Sequence, residues 1–237
     1  MRRVIFAIPA VALVLGIFAA PPVQAQQSLN LSFGGFVPRG FSARDPNDVL
    51  LNNIDCKECF SFRLRDFEGP TAGAEWLVGL GDNFEAGLGV GIYSRNVPSV
   101  YENYTNKDGS EIRQSLKLRV VPFTATVRYL PLGHHDAFEP YIGAGVGVLN
   151  WRYTEAGTFI NFTDPKLGTS GATFTGTGSA TGPVVLGGIR VPVGRIDLGG
   201  EIRYQMAKGN LPGDQGFAGS KIDLSGFNYL FTVNFRF

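Results

Sequence analysis

Hydrophobic residues recur at every second position along much of this chain. Counting back by twos from Phe237 collects Phe235, Val233, Phe231, Tyr229 and Phe227, and between them lie Arg236, Asn234, Thr232, Leu230, Asn228 and Gly226. A period of two marks an extended strand with one apolar and one mostly polar face. Eleven such residues exceed the usual soluble strand of about 5–6 residues and match the roughly 9–11 needed to cross a bilayer as a strand. Leu29, Leu31 and Phe33 repeat the pattern, as do Trp76, Val78 and Leu80, Phe84 to Ile92, Phe123 to Tyr129, Val185 to Val193 and Ile196 to Met206.

These runs predict eight strands at about 28–37, 70–80, 84–96, 111–131, 139–154, 181–194, 196–208 and 221–237. The phase slips twice. Leu116, Leu118 and Val120 are out of step with Phe123 onward, and Ile142 to Val148 are out of step with Leu149, Trp151 and Tyr153. A β-bulge near Pro122 and another near Val148-Leu149 would reconcile each pair of sets. The connections alternate in length. Gly81-Asp82-Asn83, Gly133 to Asp136 and Gly194-Arg195 are short, whereas 38–69, 97–110, 155–180 and 209–220 are long. Residues 157–182, rich in Gly, Ser and Thr, read as a flexible loop. Asp45-Pro46 reads as the N-cap and first position of a short helix over Asn47–Ile54.

The expected fold is therefore all-β: an eight-stranded antiparallel up-and-down transmembrane barrel, with four long outer loops and three short periplasmic turns. Strands in hydrocarbon must close into a barrel, since lipid satisfies no open edge. The apolar face then meets lipid. The reverse orientation would put Glu75, Glu85, Arg128, Arg190, Glu201 and Arg203 in hydrocarbon, at roughly 2–4 kcal/mol for each Arg near the midplane. An eight-stranded barrel is filled by its own side chains. Glu75, Glu85, Arg128, Arg190, Asp197, Glu201 and Arg203, with Arg152 as a weaker candidate, are thus expected to pair as an ionic plug. A gated conduit built on the same pairs is the alternative. Gly87, Gly89 and Gly91 would make room for the arginines.

Composition sharpens this picture. The 237 residues carry 21 Lys+Arg against 20 Asp+Glu, which disfavours nucleic acid as a partner. An aromatic content of 12% with only 17% charged residues argues against disorder. The long apolar run is Val4–Ala20, after Arg2-Arg3 and before Pro21-Pro22 and Val23-Gln24-Ala25. It reads as a signal peptide over 1–25, cleaved after Ala25, leaving one barrel domain over 26–237.

On these residues the chain resembles the small outer-membrane β-barrels, the group of the OmpA membrane domain, OmpX and OmpW. The resemblance rests on Glu139-Pro140-Tyr141-Ile142-Gly143-Ala144-Gly145-Val146-Gly147, on Glu201-Ile202-Arg203-Tyr204 and on the terminal Phe237. It implies an outer-membrane location and contact with outer-membrane lipids and lipopolysaccharide. It also implies recognition of Tyr229, Phe231, Val233, Phe235 and Phe237 by the barrel-assembly machinery.

Candidate chemistry is sparse. The two histidines, His134 and His135, fall in a short turn with no adjacent serine, so an activated hydroxyl nucleophile is not expected and the pair reads as a solvated turn. Cys56 and Cys59 form a C-x-x-C in the first long loop, read as a small disulfide, with metal binding or free thiols as alternatives. No catalytic residue, metal or cofactor is expected. The reading is a monomeric, non-enzymatic envelope protein with exposed loops; the alternative is a narrow porin-like or OmpW-like conduit for small molecules.

Overall fold

The computed structural model describes residues 26–54, 59–134 and 137–237. The signal-peptide segment, Cys56, His135 and Asp136 lie outside them. Eight strands close into a barrel: β1 (Gln27–Pro38), β2 (Gly69–Gly79), β3 (Phe84–Thr105), β4 (Glu111–Tyr129), β5 (Glu139–Ile160), β6 (Thr169–Val193), β7 (Ile196–Gln205) and, after two short strands, β10 (Gly226–Arg236). Each pairs antiparallel with its neighbours, and β1 closes the ring on β10. The small strands β8 (Lys208–Asn210) and β9 (Lys221–Asp223) form a separate hairpin. The three tight connections each carry a glycine in the left-handed region, Gly81, Gly133 and Gly194, a conformation that a Cβ would oppose.

Side chains of one parity face outward over a continuous apolar band that includes Phe33, Trp76, Leu88, Val127, Ile142, Val185, Ile202 and Phe231, all exposed. The opposite parity faces inward and carries Asn30, Glu75, Glu85, Arg128, Arg190, Asp197 and Glu201, all buried. Rings at the outer surface pack between strands, Phe33 on Phe231 at 5.1 Å and Trp76 on Phe237 at 5.5 Å. Among the described residues no helix is long and apolar enough to cross a membrane. The crossing architecture here is the barrel.

The two expected bulges are absent. β4 and β5 pair in unbroken register from Gln114↔Gly157 to Tyr129↔Ile142, straight through Pro122↔Leu149. What changes at that point is the polarity of the faces. Toward the turns, Thr124, Thr126 and Arg128 point inward and Phe123 and Val127 outward. Toward the loops, the same inward parity carries Leu116, Leu118 and Val120, all buried, while Lys117 and Arg119 are outside. β5 switches likewise, from outward Ile142 and Val146 to inward Leu149, Trp151 and Tyr153. A strand in hydrocarbon keeps its apolar face outward. The same strand in water buries that face as any antiparallel sheet does. The phase slip therefore marks where the strands leave the apolar band. An irregularity in pairing does occur, but farther out, between Val100 and Thr105 of β3.

The long connections are also more ordered than their composition suggests. β3–β6 run well past the band as two extended hairpins, so most of 97–110 and of 157–182 is strand. Their inward apolar face is roofed by the first and last loops. Val49, Leu50, Phe60, Phe62 and Phe67 come from one, Ala207, Leu211, Ile222 and Leu224 from the other, and all join one core with Val97, Leu116, Trp151 and Tyr153. Two glycines of the 157–182 stretch, Gly176 and Gly178, face this core. A Cβ at Gly178 would stand 3.0 Å from the Trp151 ring, and one at Gly209 of β8 would stand 2.5 Å from it. The helix in the first loop is α1 (Val49–Asn52), shorter than expected. Its N-cap is Asp48, not Asp45, because Asp48 accepts from the Leu51 N–H, while Asp45 accepts from the Asn47 N–H at 3.0 Å.

Candidate functional site in the barrel lumen

The lumen is built in layers, because inward residues of eight staggered strands meet at a few common heights. At mid-barrel, Arg128 of β4 reaches Glu75 of β2 and lies 3.0 Å from Glu201 of β7. Arg203 bridges the same two carboxylates at 2.8 Å each. Thr126 donates to Glu75 at 2.7 Å and the Tyr141 hydroxyl to Glu201 at 3.1 Å. Two cations and two carboxylates thus neutralise one another in direct contact. Such an arrangement holds only when every member is present, since a lone buried charge costs several kcal/mol.

A second layer lies toward the turns. Arg190 of β6 bonds Glu85 at 2.9 Å and approaches Glu139 at 3.6 Å. Arg236 of β10 bonds Glu139 at 2.9 Å and Asp197 at 2.7 Å, and Asn234 donates to Asp197 at 2.8 Å. The imidazole of His134 lies 3.7 Å from Glu85 with its side chain nearly buried, so this histidine belongs to the lumen and not to a solvated turn. Between the layers the Tyr141 ring is stacked by both arginines, Arg128 at 4.9 Å and Arg190 at 5.1 Å from its centroid, a geometry favourable for cation–π attraction.

Glycines set the spacing. A Cβ at Gly87 would lie 2.5 Å from the Glu75 carboxylate, and one at Gly143 would lie 3.1 Å from the Arg128 stem. The room at Gly87 is taken by a carboxylate, not by the arginine expected there. Above mid-barrel a small cavity of about 40 Å³, lined by polar groups of Ser32, Thr71, Glu75, Thr124, Arg203 and Asn228 and by apolar Val90, Pro122 and Leu230, has space for water. The apolar outer core closes the lumen beyond it.

All seven lumen candidates sit inside the barrel and join one or other layer. Arg152 does not: it is exposed on the outward face of β5. Reading the sequence missed Glu139, Arg236 and Tyr141 as members. Arg236 was visible on the polar parity of the last strand, and Glu139 and Tyr141 share the inward parity of β5, obscured by the apparent phase slip. Cys59 is buried in the loop region and Cys56 lies outside the described residues. On β10, Tyr229, Phe231 and Phe235 are exposed on the outer surface, as is Phe237 just beyond it, and Val233 shares their parity.

The outer loops carry their own polar clamp. Arg44 bonds Asp48 at 2.6 Å, both side chains buried, and donates to the Asp223 carbonyl at 2.7 Å. Asp45 is held by Lys208 at 3.1 Å and Lys221 at 3.3 Å. The Asn47 N–H and these ammonium groups hold its carboxyl down at about 2. Glu155 is the converse case: buried in the outer core, it accepts from Asn53 at 2.7 Å and from the Tyr153 hydroxyl at 2.9 Å. Burial pushes its carboxyl above the ordinary range, against the two hydrogen bonds.

Fold and lumen together define the class: a small, closed, eight-stranded transmembrane β-barrel with a side-chain-filled interior. No protein-family model matches the chain, and no curated protein matches it in sequence. Among solved structures it is similar to Neisserial surface protein A, at 13% identity over 90% of this chain and 97% of that one, with a TM-score of 0.47. It is similar to the N-terminal β-barrel domain of Pseudomonas aeruginosa OprF, at 14% identity over 90% of this chain and 100% of that one, with a TM-score of 0.42. It is also similar to the E. coli outer membrane protein W, at 15% identity over 90% of this chain and 98% of that one, with a TM-score of 0.39.

Proposed function

We propose that this chain is a monomeric outer-membrane β-barrel whose sealed lumen anchors a folded outer cap at the cell surface, and that it is neither an enzyme nor a conduit. The observation that carries this reading is the pair of closures in series. Two ion-paired layers fill the band, and the apolar core of Trp151, Leu118, Phe67 and their neighbours fills the outer mouth. A permeant molecule would have to break both. The apolar band supports residence in a bilayer. The outward aromatics of β10 suit recognition by the barrel-assembly machinery, and outer-membrane lipids and lipopolysaccharide are the expected surroundings. The segment over 1–25 would direct export.

The test is electrical. The refolded chain, verified as a barrel by different migration of boiled and unboiled samples in detergent gels, is inserted into planar bilayers. The expected result is no steady single-channel opening. Regular openings in the unmodified protein would replace the anchor with a conduit. Identical migration of boiled and unboiled samples would count against the membrane barrel itself.

A further inference from the structure

The reversal of face polarity at the exit from the apolar band leaves a distinctive row of side chains on the outside. Arg119 of β4 and Arg152 of β5 are directly opposite in the register, both outward and exposed. Lys117 stands two residues beyond Arg119 on the same face, opposite Thr154. Like charges placed directly across a strand pair repel and destabilise it, so this arrangement costs the isolated fold something. The outward parity of β3–β6 offers no carboxylate until Glu102 and Glu111 near the hairpin tips, and Glu111 already pairs with Arg113. The remaining outward neighbours at this height are hydroxyls and amides, among them Asn96, Asn150, Thr154 and Thr177.

The depth is as informative as the charge. Arg119 lies four residues beyond Phe123, and Arg152 four beyond Val148, the paired apolar residues at the rim of the band. At about 3.3 Å per residue, in tilted strands, that height is the headgroup zone just outside hydrocarbon. Guanidinium groups bind phosphate oxygens through paired N–H donors, and hydroxyls and amides suit sugar oxygens.

We propose that Arg119, Arg152 and Lys117 form a phosphate-binding patch for the phosphorylated sugar headgroup of a glycolipid in the surrounding outer leaflet, whose acyl chains lie along the apolar band below. The proposal rests on the membrane-barrel reading above. It adds a site, a ligand chemistry and a place on the barrel, the outer surface of β4 and β5.

The test uses the full chain in phosphatidylcholine nanodiscs doped with diphosphorylated lipid A or with its dephosphorylated form. The readout is glycolipid retained per barrel after gel filtration, with gel migration confirming the folded barrel for every variant. The wild type is expected to retain the phosphorylated form preferentially. The R119Q/R152Q/K117Q variant is expected to fold normally and lose that retention by about tenfold or more. R113Q, on the same strand face but paired with Glu111, is expected to leave it unchanged. Equal retention of both lipids by the wild type would overturn the proposal, as would unchanged retention in the triple variant. Inorganic tripolyphosphate binding the patch as tightly without lipid would also overturn it, by making the site one for soluble polyanions. A chain that never showed heat-dependent migration would instead overturn the membrane reading.

Discussion

Arg128 shows at the level of one residue why the lumen is a unit. Its guanidinium is wholly buried and meets two carboxylates from opposite walls while stacking on Tyr141. Replacing it with methionine keeps most of the volume but leaves Glu75 and Glu201 sharing Arg203 alone. Arg128→Met is therefore expected to destabilise the barrel by about 3–5 kcal/mol, read as a shifted midpoint in urea unfolding followed by gel migration. A midpoint within error of the wild type would mean the layer is solvated. Glu155 is the opposite kind of residue, a buried carboxyl with hydrogen-bond donors but no cation beside it among the described residues. Its raised folded pKa means that the outer core is fully stable below the ordinary carboxylate range and loses stability as pH rises through the folded value. Glu155→Gln should remove that dependence. Amide exchange across 49–54, corrected for intrinsic rates, is expected to be slower in the variant than in the wild type at pH 8, and equal near pH 4.

The extended hairpins of β3–β6 carry the lesson at the level of elements. Their glycines look like linker composition, yet a Gly-rich strand is the surface against which a Trp can lie flat. Trp151 occupies that surface, with Gly178 of β6 in tight contact and Gly209 of β8 too close to tolerate a side chain. Gly209→Val is expected to overpack the outer core at about 1–3 kcal/mol without touching the ion layers. Proteolysis should then cut the outer loops at lower denaturant while the boiled-versus-unboiled gel shift persists. Simultaneous loss of both would show that cap and barrel are one cooperative unit. The apparent phase slips in β4 and β5 belong to this level as well. Both were legible as anomalies, and their cause was not, because alternation reports which positions are apolar and leaves open whether the surroundings are lipid or water.

For the whole molecule, the two closures make a graded prediction about permeation. Breaking the mid-barrel layer with Arg128→Ala and Arg203→Ala together is expected to leave the bilayer current at baseline, because the outer core still fills the mouth. Replacing 40–67 with a short Gly-Ser linker removes Val49, Leu50, Phe60, Phe62 and Phe67 from that core, and alone it too should stay closed. Only a variant that combines both changes with Arg190→Ala and Arg236→Ala, which open the turn-side layer as well, is expected to conduct. Steady openings in either parent variant would show that a single closure carries the seal.

The barrel class, its eight barrel strands, the alternation of short turns and long loops and most of the inward charged set, Glu139 and Arg236 apart, were determined by the sequence alone. They follow from a period of two and from the cost of charge in hydrocarbon, both local to each strand. Which charges share a layer was decided only by the tertiary structure. Glu75, Arg128, Glu201 and Arg203 come from three strands whose relative stagger no single segment records. The same holds for the outer core and for the opposed Arg119 and Arg152. There the register, set by closure of the ring, brings together residues whose meaning changes where the strands pass from apolar to aqueous surroundings.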